Sequence, residues 1–161
     1  MTRTGIGFDA HRLVTGRPLI LGGVEIPHER GLLGHSDADV LVHAIMDALL
    51  GAIADGDIGQ HFPPSDARWK CANSLELLRL VTTRLHTQGW QVVNVDVTVL
   101  AEAPRLAPHI LRMRTCIAEP LGVSPAQVSV KATTTEGLGA IGRREGISAM
   151  AVATVVQTEE P

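Results

Sequence analysis

Residues 147–157, ISAMAVATVVQ, are apolar on both sides of a period-2 pattern. Ile147, Ala149, Ala151, Ala153 and Val155 fall on one side, and Met150, Val152 and Val156 on the other. Successive side chains of a strand point to opposite faces of its sheet, so this strand needs a cover on both. Helices can supply one cover. With only three substantial helical patterns in the chain, the second cover can be another subunit.

The remaining patterns set the architecture around that strand. Residues 4–11 alternate Ile6, Phe8 and Ala10 with Gly7, Asp9 and His11, a half-buried strand that projects Asp9 and His11 from one face. Leu19–Leu21 and Val24–Ile26 flank Gly22-Gly23 and predict a hairpin, followed by a polar connector at residues 28–30. Asn73 with Glu76 starts a helix whose stripe is Leu75, Leu78, Val81, Thr82 and Leu85 and which Gly89 stops. Residues 91–100 alternate four valines with Asn94, Asp96 and Thr98, a clear strand. A helix over 109–119, ended by Pro120 and Gly122, and a strand over 128–132 precede the last strand. The order β, ββ, α, α, β, α, β, β predicts an α+β fold. It is a single domain over residues 1–161, with a mixed sheet of about four long strands, helices on one face and a small hairpin.

The charge balance narrows the partners. Fourteen Lys and Arg against seventeen Asp and Glu give a net charge of -3, which argues against nucleic acid, since a phosphate backbone is bound by clustered basic residues. No apolar run approaches the roughly 18 residues of a membrane span, and the first residues lack a signal-peptide pattern, so a cytoplasmic protein is expected. Cys71 and Cys116 have no CxxC spacing and read as small buried or semi-buried thiols. Phe8, Phe62, Trp69 and Trp90 are the only aromatics, which leaves an aliphatic core and no base-stacking platform.

Residues 31–51, GLLGHSDADVLVHAIMDALLG, join a turn carrying His35 to a helix carrying His43. Ser36 reads as the N-cap, with a helix from 37 to about 52. Leu41, Ile45, Ala48, Leu49 and Ala52 then form one side, and Asp39, His43 and Asp47 the other. That polar stripe is either solvated or functional. The D-x-H pair of Asp9 and His11 together with His43 offers a carboxylate and two imidazoles, a ligand set that suits zinc with one coordination position open. Asp47 either orients an imidazole or makes an ordinary helix salt bridge.

Two loops complete the inventory. Residues 51–68 form a long aperiodic loop that carries Asp55, Asp57, Gly59, Phe62, Pro63, Pro64, Ser65 and Asp66. It is either turn chemistry or a loop wrapping a polyol through its carboxylates. Thr133, Thr134 and Thr135 leave a strand end with free backbone N–H groups, a plausible phosphate cradle, and Glu136 can hold Mg²⁺ carried by phosphate oxygens. With residues 101–108 after another strand, they outline a nucleotide pocket.

Five segments, GIGFDAHRL (5–13), GLLGHSDADVLVHAIMDALLGA (31–52), GDIGQHFPPSD (56–66), NVDVTVLAEAPRLAPHI (94–110) and VKATTTEGLGAIGRREGI (130–147), together resemble the 2-C-methyl-D-erythritol 2,4-cyclodiphosphate synthase family over essentially the whole chain. The resemblance implies the single-function form and a homotrimer with sheets packed about a three-fold axis and active sites between subunits. It also implies cyclisation of 4-diphosphocytidyl-2-C-methyl-D-erythritol 2-phosphate with loss of CMP, in non-mevalonate isoprenoid biosynthesis.

Residue by residue, the resemblance assigns zinc, or another divalent transition metal, to Asp9, His11 and His43, with Ala10 beside them in the substrate site. It assigns the substrate phosphate and methylerythritol to His35 and Ser36, and transition-state stabilisation to His35 and Thr134. Asp57, Ile58, Gly59, Phe62, Pro63, Pro64, Ser65 and Asp66 would hold the methylerythritol moiety. Ala101, Glu102, Ala103, Pro104, Arg105, Leu106 and Ala107 would enclose cytidine with Thr133, Thr134 and Thr135, while Glu136 would hold a second ion, Mg²⁺ or Mn²⁺. Gln60, His61 and Pro64 vary in the sugar loop. Ala140 stands where some relatives carry a bulky aromatic lining a cavity on the three-fold axis. That departure weighs against an isoprenoid diphosphate there, although Arg143 and Glu145 match.

Overall fold

The computed structural model describes residues 1–158. Its longest strand, β1 (Thr2–Thr15), is followed by β2 (Leu19–Leu21), β3 (Val24–Ile26) and β4 (Arg30–Leu32). Next come α1 (Val40–Ala52), α2 (Ile58–His61), α3 (Ser74–Thr87), β5 (Trp90–Leu100) and α4 (Ile110–Leu121). The chain ends in β6 (Val128–Thr133), α5 (Gly139–Gly142) and β7 (Gly146–Gln157). The main sheet has five strands in the order β4-β1-β7-β5-β6, and β2 and β3 form the separate hairpin. Only β5 and β6 pair in parallel, so the sheet is mixed.

The strand that is apolar on both sides is central, between β1 and β5. Its Ile147, Ala149, Ala151, Ala153 and Val155 are buried beneath the helices, whereas Met150 and Val152 remain 45% and 40% exposed. Met150 pairs with Phe8 and Val152 with Ile6 across to β1, and these two are 57% and 66% exposed. The helix-free face thus presents a contiguous apolar patch.

The alternation expected in β1 is present, but the side with large apolar residues is the exposed one. Gly5 and Gly7 take the buried positions because α1 crosses directly above them. Asp9 and His11, two and four residues beyond Gly7, share that helix-covered face.

Helix α1 begins three residues later than the reading from Ser36. Asp39 is the N-cap, accepting from the Val42 N–H, and its carboxylate also accepts from the Gly22 and Gly23 N–H groups of the hairpin turn. Asp39 is therefore fully buried rather than part of an exposed stripe. Apart from Asp47 and Gly51 the whole helix is buried, between β1, β7 and α3. The 28–30 connector runs into β4, a three-residue edge strand that pairs Leu32 with Leu13. Pro120 falls inside the last turn of α4, and Gly122, at φ 68°, takes the left-handed position that ends it. Cys71 is exposed rather than buried and itself has φ 58°, and Cys116 is partly exposed.

Candidate functional site

Three side chains converge where β1 emerges from beneath α1. Asp9 Oδ2 lies 2.9 Å from His11 Nε2 and 3.0 Å from His43 Nδ1, and the two nitrogens are 3.3 Å apart. Donor atoms about 2.0–2.1 Å from a tetrahedral ion sit roughly 3.3 Å from one another, so the triangle fits a divalent metal. The His11 ring is already oriented for it. Its Nδ1–H donates to the Leu33 carbonyl at 2.7 Å, which leaves the Nε2 lone pair facing the cluster.

The electrostatics agree with the geometry. Burial pushes the Asp9 carboxyl upward, but hydrogen bonds from the protonated forms of His11 and His43, and their charge, outweigh it and hold the group well below the usual carboxylate range. The bond to Asp9 raises His11 above its ordinary value against the opposing effect of burial.

The cluster lies at the edge of a cavity of about 310 Å³. His35 and Ser36 form one wall, and Ile58, Gly59, Phe62 and Pro64 another. Met46, Trp69 and Leu77 complete the lining, with Phe62 and Trp69 edge to face at 5.1 Å. None of these last three was singled out from sequence as a site residue. Their signal, an apolar residue on a helix or in a loop, is shared with the core.

For the loop around Asp57 and Asp66 the structure separates the two readings by residue. Asp57 caps α2 through the Gln60 N–H, and Asp66 caps a 3₁₀ turn and pairs with Arg68. Both carboxylates do turn chemistry and, with Pro63 and Ser65, are absent from the cavity lining. Asp47 accepts from the Ile58 N–H at 2.8 Å, pinning the loop to α1 instead of orienting an imidazole. Burial pushes Asp47 up.

A second cavity, about 360 Å³, lies at the neighbouring strand ends, bounded by Ala101, Glu102, Pro104 to Ala107, and Thr133 with Thr134. Ala103, Thr135 and Glu136 are outside its lining. The threonine cradle is partly filled from within. Glu102 Oε1 accepts from the Thr135 N–H at 2.9 Å, the Thr135 hydroxyl at 3.2 Å and the Gly137 N–H at 3.3 Å. Those backbone bonds hold Glu102 below the usual range. Glu136 is exposed, with φ 53°. Between β1 and α5, Ala10, Arg12, Ala140 and Glu145 line a smaller hollow of about 210 Å³, and Arg143 pairs with Glu145 at 2.7 Å.

The strand register brings both large cavities to one end of the sheet. Ser148 of β7 is paired with Ala10 on one side and with Leu100 on the other. The loop after β5 and the cluster at Asp9 and His11 of β1 are thus two strands apart, with separate linings.

A one-sided α+β sheet with a carboxylate–imidazole triangle opening onto a ligand cavity defines a protein of the divalent-metal-binding class. The chain belongs to the YgbB family, whose model matches residues 2–156. It is 64% identical over 155 residues to the 2-C-methyl-D-erythritol 2,4-cyclodiphosphate synthase of Syntrophomonas wolfei, covering 96% of this chain and 99% of that one. The IspF of Plasmodium falciparum, solved as a CDP complex, superposes with a TM-score of 0.86 at 32% identity and covers 98% of this chain and 97% of its own. The bifunctional IspDF of Campylobacter jejuni superposes with a TM-score of 0.95 at 41% identity, covering 99% of this chain and 43% of that longer one. No helix among the described residues is long and apolar enough to cross a membrane.

Proposed function

We propose that the protein catalyses the reaction for which its relatives are named. It closes 4-diphosphocytidyl-2-C-methyl-D-erythritol 2-phosphate into 2-C-methyl-D-erythritol 2,4-cyclodiphosphate and releases CMP, as a phosphorus–oxygen lyase of non-mevalonate isoprenoid biosynthesis in the cytoplasm. The observation that carries this reading is the Asp9–His11–His43 triangle at the mouth of the cavity. An oxygen of the 2-phosphate bonds to the β-phosphorus, the bond from that phosphorus to the bridging oxygen breaks, and the oxygen leaves with CMP.

The nucleophile is part of the substrate, so the protein's task is to fold it, shield it from water and balance its charge. When bound, zinc on Asp9, His11 and His43 and Mg²⁺ or Mn²⁺ held through Glu136 supply Lewis-acid charge in a chain poor in basic residues. His35 and Ser36 receive the phosphate and the polyol beside the triangle. Ile58, Gly59 and Phe62 pack against the methylerythritol. The cavity between Ala101 to Ala107 and Thr133 to Thr134 takes cytidine, and Thr134 and His35 donate to oxygens that gain charge as the bridging bond breaks.

In this proposal the assembly is a homotrimer. The exposed Ile6, Phe8, Met150 and Val152 form the contact face, and the nucleotide half of one subunit meets the metal half of its neighbour. The hollow at Ala10, Ala140 and Glu145, with Arg143 beside it, then faces the axis, where an isoprenoid diphosphate is the ligand to test.

Phosphorus NMR of the purified protein with this substrate and Mg²⁺ tests the reaction. A cyclic diphosphate and CMP are expected. A linear bisphosphate with CMP overturns cyclisation in favour of hydrolysis, and saturable CDP binding without turnover overturns catalysis altogether.

A further inference from the structure

The two nitrogens of His43 have different neighbours. Nδ1 faces Asp9 and His11, whereas Nε2 lies 3.0 Å from Ser74 Oγ and 3.2 Å from Ser36 Oγ. The Ser74 hydroxyl donates to Asp37 Oδ1, since an ionised carboxylate can only accept. With its single hydrogen committed there, Ser74 oxygen can meet His43 only as an acceptor. In the neutral, metal-binding form of His43 the imidazole proton is then on Nε2, and the Nδ1 lone pair points at the metal position.

We infer that Asp37 and Ser74 are positioning residues of the metal centre, a relay from carboxylate to hydroxyl to imidazole that fixes both the tautomer and the ring orientation of His43. The inference rests on the reading of Asp9, His11 and His43 as metal ligands.

The relay is built into the fold. Ser74 is fully buried and His43 is 7% exposed, so water does not compete for the link between them. Asp37 is held on three sides: Oδ2 accepts from the Ser74 N–H at 2.9 Å, Oδ1 accepts from the Asp39 N–H at 3.1 Å, and its own N–H donates to the Ala72 carbonyl at 3.1 Å. It thereby ties the segment before α1 to the start of α3. The two histidines are oriented by different means, His11 by the Leu33 carbonyl and His43 by side chains, so only the second can be edited by substitution.

The relay also divides the work between the two serines. Once Nε2 donates to Ser74, the Ser36 oxygen still accepts from the Ala38 N–H at 3.2 Å. Its hydrogen has no protein acceptor among the described residues and is free for an oxygen in the cavity.

Ser74→Ala removes the hydroxyl and leaves the Ser74 N–H on Asp37. Metal-free wild type and variant are titrated with zinc against a chelating indicator, and their Co²⁺ forms are compared by visible absorption. The variant is expected to bind zinc roughly 10- to 100-fold more weakly and to show a shifted cobalt band, with the metal-free variant still melting in one cooperative step. Asp37→Asn, which keeps an acceptor for the Ser74 amide, should weaken zinc in the same direction. The double variant should be no weaker than Ser74→Ala, because the carboxylate acts through the hydroxyl. Unchanged zinc affinity in Ser74→Ala, or additive losses in the double variant, overturns the relay. Failure of the wild type to bind zinc overturns the ligand assignment itself, and the relay with it.

Discussion

Gly7 of β1 and Ala44 of α1 touch backbone to backbone: a Cβ on Gly7 would fall 1.9 Å from the Ala44 carbonyl oxygen. Gly5 meets Ala48 in the same way, at 2.0 Å. This close crossing lets side chains as short as Asp9 and His11 reach His43.

Gly7→Ala is therefore expected to push strand and helix apart. The obstacle is backbone, which cannot swing aside as a side chain would, so the cost should reach the upper end of overpacking, about 3 kcal/mol. Urea denaturation should show that loss, and zinc affinity should fall with it.

Replacing both Asp9 and His11 by alanine should abolish tight zinc binding, because one imidazole is left where three ligands converged. Elemental analysis should find about one zinc per wild-type chain and far less in the double variant. Equal contents would refute the assignment.

Phe8→Glu places a charge at the middle of the exposed apolar patch. The chain should still fold, since position 8 contributes nothing to the helix-covered core, but it should no longer assemble. Light scattering is expected to give one chain per particle for the variant and three for the wild type.

Glu102→Ala should loosen the loop from Thr135 to Gly137 without unfolding the protein. CDP affinity is expected to drop several-fold by calorimetry, whereas Glu102→Gln, whose amide oxygen can accept the same bonds, should bind nearly as the wild type does.

Asp55 is held below its ordinary value chiefly by its hydrogen bond to Arg84. A carboxyl with a lowered folded value contributes stability above its unfolded value, about 3.9, and loses it as pH falls through the folded one. Arg84→Ala should lower the melting temperature by no more than about 3 °C at pH 7, since Arg84 is half exposed, and the difference should vanish in acid.

How far the sequence could be read depends on whether a signal was local. β5 and β7 were plain because alternation is a property of neighbouring residues. β1 was legible as a strand, yet which side it buries depended on Gly5 and Gly7 meeting a helix some forty residues away. The start of α1 was misplaced because Asp39 answers to Gly22 and Gly23 as well as to its own helix. Asp9, His11 and His43 stood out through their chemistry, and the structure brings them together. Asp37 and Ser74 did not, because serine beside an Asn cap looks like any helix start and its partner is 37 residues distant.

The burial of α1 on nearly every side also governs how the site opens. Amides in such a helix exchange with solvent only when much of the molecule unfolds, whereas the segments around His35, Gly59 and Phe62 hang on few buried contacts and open locally at little cost. The His43 amide is thus expected among the slowest to exchange, and those of the cavity walls among the faster ones, which hydrogen-exchange mass spectrometry would show. A substrate can come and go many times while the metal's seat on the helix stays shut.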